Sequence, residues 1–339
     1  MKKKTILSIL ALLVIVGGFA GWKIFGPTVT APEKKYFYVR TGDTYDMVKH
    51  NLEEDKIIGS SFWFNQVAQR LGYDSKVKAG RYEIKNDMSV FNLVRMLRSG
   101  NQSPVNLIIT KLRTKEDLAQ KIATNFECDS LSVISFLNDP DSLKKYNLDS
   151  NTVMTAVIPN TYSILWNTPA VKIFKTLYFY QEKFWDEERR KKAAALNMTP
   201  QQVYTMASIV EEETTMDADR GNVASVYINR IKAGKRLEAD PTIKFALRNF
   251  GLKRIKEGHK LAAKDSPYDT YFHSGLPVGP ICTPSSKTID AVLNAPATNY
   301  LYFVAKPDWS HLSNFTDSYD QHKINAKIYQ HFLDSINIK

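Results

Sequence analysis

Cysteine is nearly missing from this chain. Only Cys128 and Cys282 occur in 339 residues, too few and too far apart for a zinc framework or a disulfide scaffold. Their spacing leaves open whether they pair in an oxidising compartment. The six histidines include His273, His311 and His322, yet none stands at an H-x-x-x-H or equivalent ligand spacing, so neither a metal nor another cofactor is expected. Internal repeats and low-complexity tracts are also lacking, which argues against a solenoid or a disordered tail. A concentrated basic stripe is missing too. The net charge is +11, but the first 35 residues hold six lysines against one glutamate, and the remaining +6 is dispersed without interleaved aromatics. No nucleic-acid partner is expected from such a distribution, while attraction to anionic cell-wall polymer or lipid headgroups stays open.

What is present is ordinary globular material, 43% hydrophobic and 24% charged, enough for two domains with a sizeable core. The start reads MKKKTILSILALLVIVGGFAGWKIFGP, with an uncharged run of 18 residues from Thr5 to Trp22. That is close to the roughly 20 residues that cross a bilayer as a helix. Lys2, Lys3 and Lys4 before it favour a cytoplasmic N-terminus and export of everything after Lys23. The alternative is a cleaved signal peptide. The run exceeds the roughly 7–15 residues of a signal core, and no A-x-A site or lipobox cysteine follows it, which favours a retained single-pass anchor over residues 1–25.

Residues 26–35, GPTVTAPEKK, read as a linker. Tyr36 to Arg40 is strand-like, Asp43 is a candidate cap for a helix containing Met47 and Leu52, and a second helix is expected after Ser60 and Ser61. AGRYEI at 79–84 returns as a strand. This strand, helix, helix, strand order resembles a LysM-like subdomain, assigned with the following helix to residues 36–102; a glycan grip and a plain structural spacer both fit it. The helix Val90 to Ser99 is bounded by Ser89 and Gly100. From residue 103 a larger α+β domain is expected to run to 339. It holds a strand in VNLIIT, a helix opened by Thr114, a strand followed by a loop in AVIPNTYSI (156–164), and one long amphipathic helix over 170–196.

Three consecutive glutamates end the segment NMTPQQVYTMASIVEEETT. Thr199 before Pro200, with Gln202 three positions on, is a capping-box signature that fixes the helix start. At about 100° per residue, Val203, Met206, Ala207 and Val210 form an apolar stripe, with Glu211 about 80° to one side, Glu213 about 80° to the other and Glu212 opposite. Glu212 is thus expected in solvent. Ile209 broadens the stripe toward Glu213, which makes Glu213 the carboxylate with most reason to lose water. Burial, the helix C-terminus and two neighbouring carboxylates all favour its protonated form. By periodicity alone, a solvated acidic helix end is the favoured reading.

The stretch MASIVEEETTMDADRGNVASVYINRIKAGKRLEADPTI resembles the active-site segment of the YceG-like family of endolytic murein transglycosylases. The resemblance runs through Ala207-Ser208-Ile209-Val210-Glu211-x-Glu213-Thr214, then Val223 to Arg230, then Asp240-Pro241-Thr242. It continues in SPYDTYFHSGLPVGPICTPS, around Tyr268, Tyr271 and Gly275 to Ile281, and in YLYFVAKPDWSHLSNFT with His311 and Thr316. Three positions depart from the family pattern: Asn160 and Asp269 replace an aspartate and an asparagine, and Glu212 replaces a lysine. The closing T-x-x-x-H-N is stretched around His322 and Lys323.

The resemblance implies non-hydrolytic cleavage of the MurNAc–GlcNAc β-1,4 bond within nascent peptidoglycan strands, leaving 1,6-anhydroMurNAc ends and limiting strand length. It implies Glu213 as the catalytic residue, acid then base. Glu211 or the substrate's N-acetyl group is left to stabilise charge at C1. Ser208, Asn160, Tyr162, Asn229, Asp240, Tyr268 and Tyr271 are substrate-binding candidates, several of which also have purely structural readings. Partners implied are glycan strands, the membrane and peptidoglycan synthases, at the inner (cytoplasmic) membrane with the catalytic domain periplasmic or otherwise extracytoplasmic. The competing reading is a non-catalytic glycan-binding scaffold of the cell-wall synthesis machinery. An aminodeoxychorismate lyase, a historical label for this family, would need pyridoxal phosphate on a lysine and suits an exported chain poorly.

Overall fold

The computed structural model describes residues 2–335 as a mixed α+β chain that divides into two compact units. The smaller contains residues up to Leu107 together with Ala123–Asp129 and Ser163–Pro169. It begins with helix α1 (Lys2–Phe25), long and apolar enough over Lys3–Phe25 to cross a membrane. Strand β1 (Tyr36–Val39), helices α2 (Tyr45–Glu54) and α3 (Ser61–Leu71), strand β2 (Gly80–Glu83) and helix α4 (Val90–Ser99) follow. β1 and β2 pair antiparallel, Phe37 opposite Tyr82. Phe37, Val48, Leu52, Phe64, Tyr82, Leu93 and Leu97 bury against one another as this unit's own core.

Local chemistry explains most boundaries. Ser60 and Ser89 cap α3 and α4 through their hydroxyls, and Gly72 and Gly100 close them in the left-handed conformation that glycine adopts without a Cβ penalty. The α2 cap is Thr44, one residue beyond the expected Asp43; the Asp43 carboxylate instead accepts from Arg40 N–H in the preceding turn. Residues 26–35 are tied down rather than free. Val29 is buried and bridges Ile58, Val29 N–H donates to Met88 O, Thr30 N–H to Ile57 O, and Ala31 N–H to the Asn86 side chain. Proline and polar content suggest a linker, but a sequence window cannot see distant carbonyls that satisfy its N–H groups.

The larger unit comprises Ile108–Ile122, Ser130–Tyr162 and residues from Ala170 onward. Strand β3 (Val105–Ile109), helix α5 (Lys115–Asn125) and strand β4 (Asn160–Ile164) each have residues in both units, while α6 (Ser130–Asn138) and α7 (Pro140–Lys144) belong to the larger. The expected order of strand then loop is reversed over 156–164, with a 3-10 turn at Val153–Ala156 and the strand only from Asn160. Tyr204 Oη donates to Val157 O at 2.5 Å and Tyr162 Oη to Ile158 O. Hydroxyls thus satisfy carbonyls that a buried apolar run would otherwise pair in a sheet. The single long helix expected over 170–196 is two, α8 (Ala170–Phe184) and α9 (Glu187–Ala195). Asp186 interrupts the run by capping α9 at Arg189 N–H, an alternative hydrogen bond that hydrophobic periodicity does not register.

Helix α10 (Pro200–Glu213) is the core of this unit, packed by α9 and by α11 (Asp217–Lys232), α12 (Asp240–Ala246) and α14 (Ser286–Leu293). A short helix α13 (Glu257–Ala263) precedes α14; strands β5 (Tyr302–Ala305) and β6 (Ser313–Thr316) pair antiparallel, and α15 (Tyr319–Ser335) lies against both. Every residue of α10 from Val203 to Val210 is buried. The helix therefore has no solvent side along its middle, unlike the amphipathic reading, because neighbours cover it all round. Both cysteines are free thiols, Cys282 in the core beside Ser208 and Cys128 half-buried.

Candidate active site

The capping box forms as expected. Thr199 Oγ1 accepts from Gln202 N–H and the Gln202 side chain accepts from Thr199 N–H, which sets the helical phase well before α10 ends at Glu213. Glu213 opens onto a cleft of about 420 Å³. From α11 come Val226, Tyr227 and Arg230; Asp240 stands at the start of α12, and Tyr302 and His322 come from β5 and α15. Tyr227 Oη donates to Glu213 Oε1 at 2.7 Å. Tyr271, from the loop after α13, donates to Asp240 Oδ1 at 2.5 Å.

That loop is held by two sets of bonds. Asp269, buried, accepts from the N–H groups of Tyr271, Phe272 and His273. Thr270 Oγ1 accepts from Ala239 N–H and shares a hydrogen bond with Thr242 Oγ1. Together they seat Tyr271 over the N-terminus of α12. Glu238, on the cleft wall, sits at φ +55°, a left-handed conformation that costs a residue with a Cβ about 1 kcal/mol or more. Its N–H bonded to Thr270 O and its carboxylate paired with Arg230 hold it there.

The three glutamates have separate surroundings. Glu212 is not in solvent: its side chain is only 15% exposed, gripped by Arg113 Nε at 3.1 Å and Nη2 at 3.0 Å and by Lys111 at 3.2 Å. Burial alone would raise its pKa, but the guanidinium fork and the lysine more than offset it and hold the carboxyl below its ordinary value. A helical wheel describes an isolated helix, and here the strand-to-helix segment before α5 covers that side. Glu211 accepts from Ser285 N–H, Ser285 Oγ and Thr288 Oγ1 at the start of α14. Glu213 has its pKa raised from 4.5 to about 7, first by burial and then by the Asp240 and Glu212 carboxylates; the Tyr227 hydroxyl and Lys244 oppose the rise. Burial rather than the helix terminus is thus the main cause.

Of the seven substrate-binding candidates, Asp240 and Tyr271 line the cleft with Glu213. The other five do not. Ser208 is fully buried, accepting from Ile281 N–H and donating to Thr205 O. Tyr162 is fully buried. Asn229 braces α11 to Thr298 O and Tyr300 O. Tyr268 packs on Phe245 at 4.6 Å, and the exposed Asn160 accepts from Thr161 N–H. Conversely, Tyr227, Arg230, Tyr302 and His322 line the cleft without having been singled out as site residues. Spacing offered one signal for them: Val226, Tyr227 and Arg230 fall within about one turn of α11. Among the described residues, no group of three or more His, Cys, Asp or Glu side chains converges as a metal site requires.

The YceG-like family matches residues 37–328 of this chain. The chain belongs to the YceG-like family. Among its relatives, an endolytic murein transglycosylase of Bacillus subtilis is 28% identical over 355 residues, covering 96% of this chain and 93% of the relative. An endolytic murein transglycosylase of Streptococcus pneumoniae is 26% identical over 89% of the chain, which spans 61% of that protein's length. The crystal structure of a yceG-like protein from Listeria monocytogenes superposes with a TM-score of 0.57 at 25% identity, covering 86% of this chain and 99% of that one.

In this YceG-like site the Tyr227 hydroxyl stabilises the ionised form of Glu213, so its removal should raise the Glu213 pKa further. In Tyr227→Phe, any activity that needs protonated Glu213 is expected to keep its alkaline limb to higher pH than in the parent. A pH profile of kcat/KM reads the direction.

Proposed function

We propose that this chain is a membrane-anchored endolytic lytic transglycosylase that cleaves the MurNAc–GlcNAc β-1,4 bond within peptidoglycan strands. The observation that carries this reading is Glu213: a carboxyl pushed up to about 7, bonded to Tyr227 and open to a cleft. The relatives named endolytic murein transglycosylases supply the substrate class. A carboxyl with that pKa is divided between its two forms near neutral pH, as one group serving first as acid and then as base requires. Protonated Glu213 donates to the glycosidic oxygen as the C1–O bond breaks. As carboxylate it then takes the proton from the muramic C6 hydroxyl, whose oxygen closes on C1 to form the 1,6-anhydro ring. No water is consumed, so the second carboxylate that hydrolases use to activate or replace water is not needed.

Positive charge developing at C1 calls for a nearby anion. Asp240, in the same cleft with one oxygen held by Tyr271, suits that role, whereas the hydrogen bonds of Glu211 occupy it at α14. Helix α1 serves as a single-pass anchor in the cytoplasmic membrane, its leading lysines inside and the cleft outside, where cleavage limits glycan strand length. The strand, helix, helix, strand order of the smaller unit supports a LysM-like module gripping glycan. Digestion of purified sacculi should release 1,6-anhydromuropeptides from internal positions. Products with reducing MurNAc ends would instead mean hydrolysis, and no products at all would favour the scaffold reading.

A further inference from the structure

We infer that the first turn of α3, with Phe62 and Trp63, is a membrane-seated surface that inserts into the lipid interface beside the end of α1. The inference rests on reading α1 as a retained anchor and adds to it a second point of lipid contact, made by the folded unit itself.

Three observations converge. The first is depth. The uncharged run Thr5 to Trp22 spans about 27 Å at 1.5 Å per residue, nearly the hydrocarbon thickness, which puts Trp22 and Lys23 at the outer boundary. Phe19 lies one turn deeper, and its ring meets Trp63 at 6.3 Å, edge to face. Whatever touches Phe19 shares its depth.

The second is rigidity. α1 packs on both α3 and α4, Ile24 joins the smaller unit's core, and Phe25 meets Phe91 at 5.3 Å. No free spacer follows, because Gly26 N–H bonds back to Trp22 O and Val29 and Thr30 are already held by Met88 and Ile57. The unit therefore cannot drift away from the bilayer on a tether.

The third is composition. α3 turns Phe64, Val67 and Ala68 into the core, so Phe62 and Trp63 serve no core purpose, and Phe62 remains 56% exposed with its ring 5.0 Å from that of Trp63. The first turn of α3 carries no acidic residue. Lys23 lies over the Trp22 ring at 5.0 Å and the Phe19 ring at 5.6 Å, a lysine stem lying along apolar rings with its ammonium free to reach the headgroups. Tryptophan, phenylalanine and a snorkelling lysine at one level are what the bilayer boundary favours, and in water the same cluster would be an unexplained apolar patch.

The test uses the full chain in phosphatidylethanolamine and phosphatidylglycerol vesicles, with a fraction of the lipids brominated on the upper acyl chain to quench nearby tryptophan. Trp22 reports on the anchor and Trp63 on the seated surface. Trp22→Phe and Trp63→Phe are each expected to remove about half of the quenchable emission, and the double variant nearly all of it, since both rings sit at the interface. If Trp63→Phe leaves the quenched fraction unchanged while Trp22→Phe abolishes it, the seated surface is overturned and the anchor stands. If wild type shows no quenching, the anchor reading itself fails and takes this inference with it.

Discussion

Glu213→Gln is expected to reduce release of 1,6-anhydromuropeptides from purified sacculi by about 10³-fold or more, since the proposed mechanism uses the same group as acid in one step and base in the next. The amide still accepts a hydrogen bond from Tyr227 but cannot exchange a proton, so strand binding persists while cleavage stops. Release at the parent rate would sink the assignment. A second readout, thermal unfolding of the full chain in detergent, separates lost chemistry from lost fold. Because burial raises the folded pKa of Glu213 from 4.5 to about 7, the folded protein keeps a proton that the unfolded chain has shed between those values. Stability contributed by this group therefore falls as pH rises through that window and is lowest above it. The neutral amide carries no such penalty. The variant should be more stable than its parent at about pH 8, by up to about 3 kcal/mol, and equal to it near pH 4. Gained stability with lost activity is the pattern of a residue held in an unfavourable state for chemistry.

Glu211→Ala should do the reverse. Three donors at the head of α14 lose their acceptor: Ser285 N–H at 3.2 Å, Ser285 Oγ at 3.0 Å and Thr288 Oγ1. The carboxylate also stands at the positive end of that helix. Replacing a charged acceptor that caps a partly buried helix start costs about 2–4 kcal/mol. α14 is a principal neighbour of α10, so the loss should appear as a lowered melting temperature of the whole larger unit. The pH profile of cleavage, measured well below that temperature, should stay in place, because the charges that act most on Glu213 are Asp240, Lys244 and Glu212. A shifted profile with unchanged stability would return Glu211 to the role of electrostatic helper.

These two outcomes divide neighbouring glutamates that look interchangeable in the sequence. Two independent signals in the sequence point to position 213: the phase of a helix whose start is fixed by Thr199 and Gln202, and the motif shared with the YceG-like family. The motif also carried Asp240 and Tyr271. It carried Ser208 and Asn229 equally well, yet these lie off the cleft, bonded to the loop at Ile281 and to the segment from Thr298 to Tyr300. A motif records which residues a site cannot do without, and buried hydrogen bonds that hold the site together leave the same mark as groups that face the substrate.

Sequence by itself determined the elements whose signals are local: the apolar length of α1, the hydroxyl caps of α3, α4 and α10, the glycine stop at Gly100, and the order of strands and helices in the smaller unit. Each depends on residues within one or two turns, so a short window contains the whole cause. Only the tertiary structure decided the rest. It bound residues 26–35 to the smaller unit, broke the long helix at Asp186, drew Arg113 and Lys111 onto Glu212, and joined Tyr227 to Glu213. The partners in the contacts to Glu212 and Glu213 lie between 14 and about 100 positions apart. Whether such a group meets water, a cation or a hydroxyl depends on packing around it, and that is what raises the pKa of Glu213 and lowers that of Glu212.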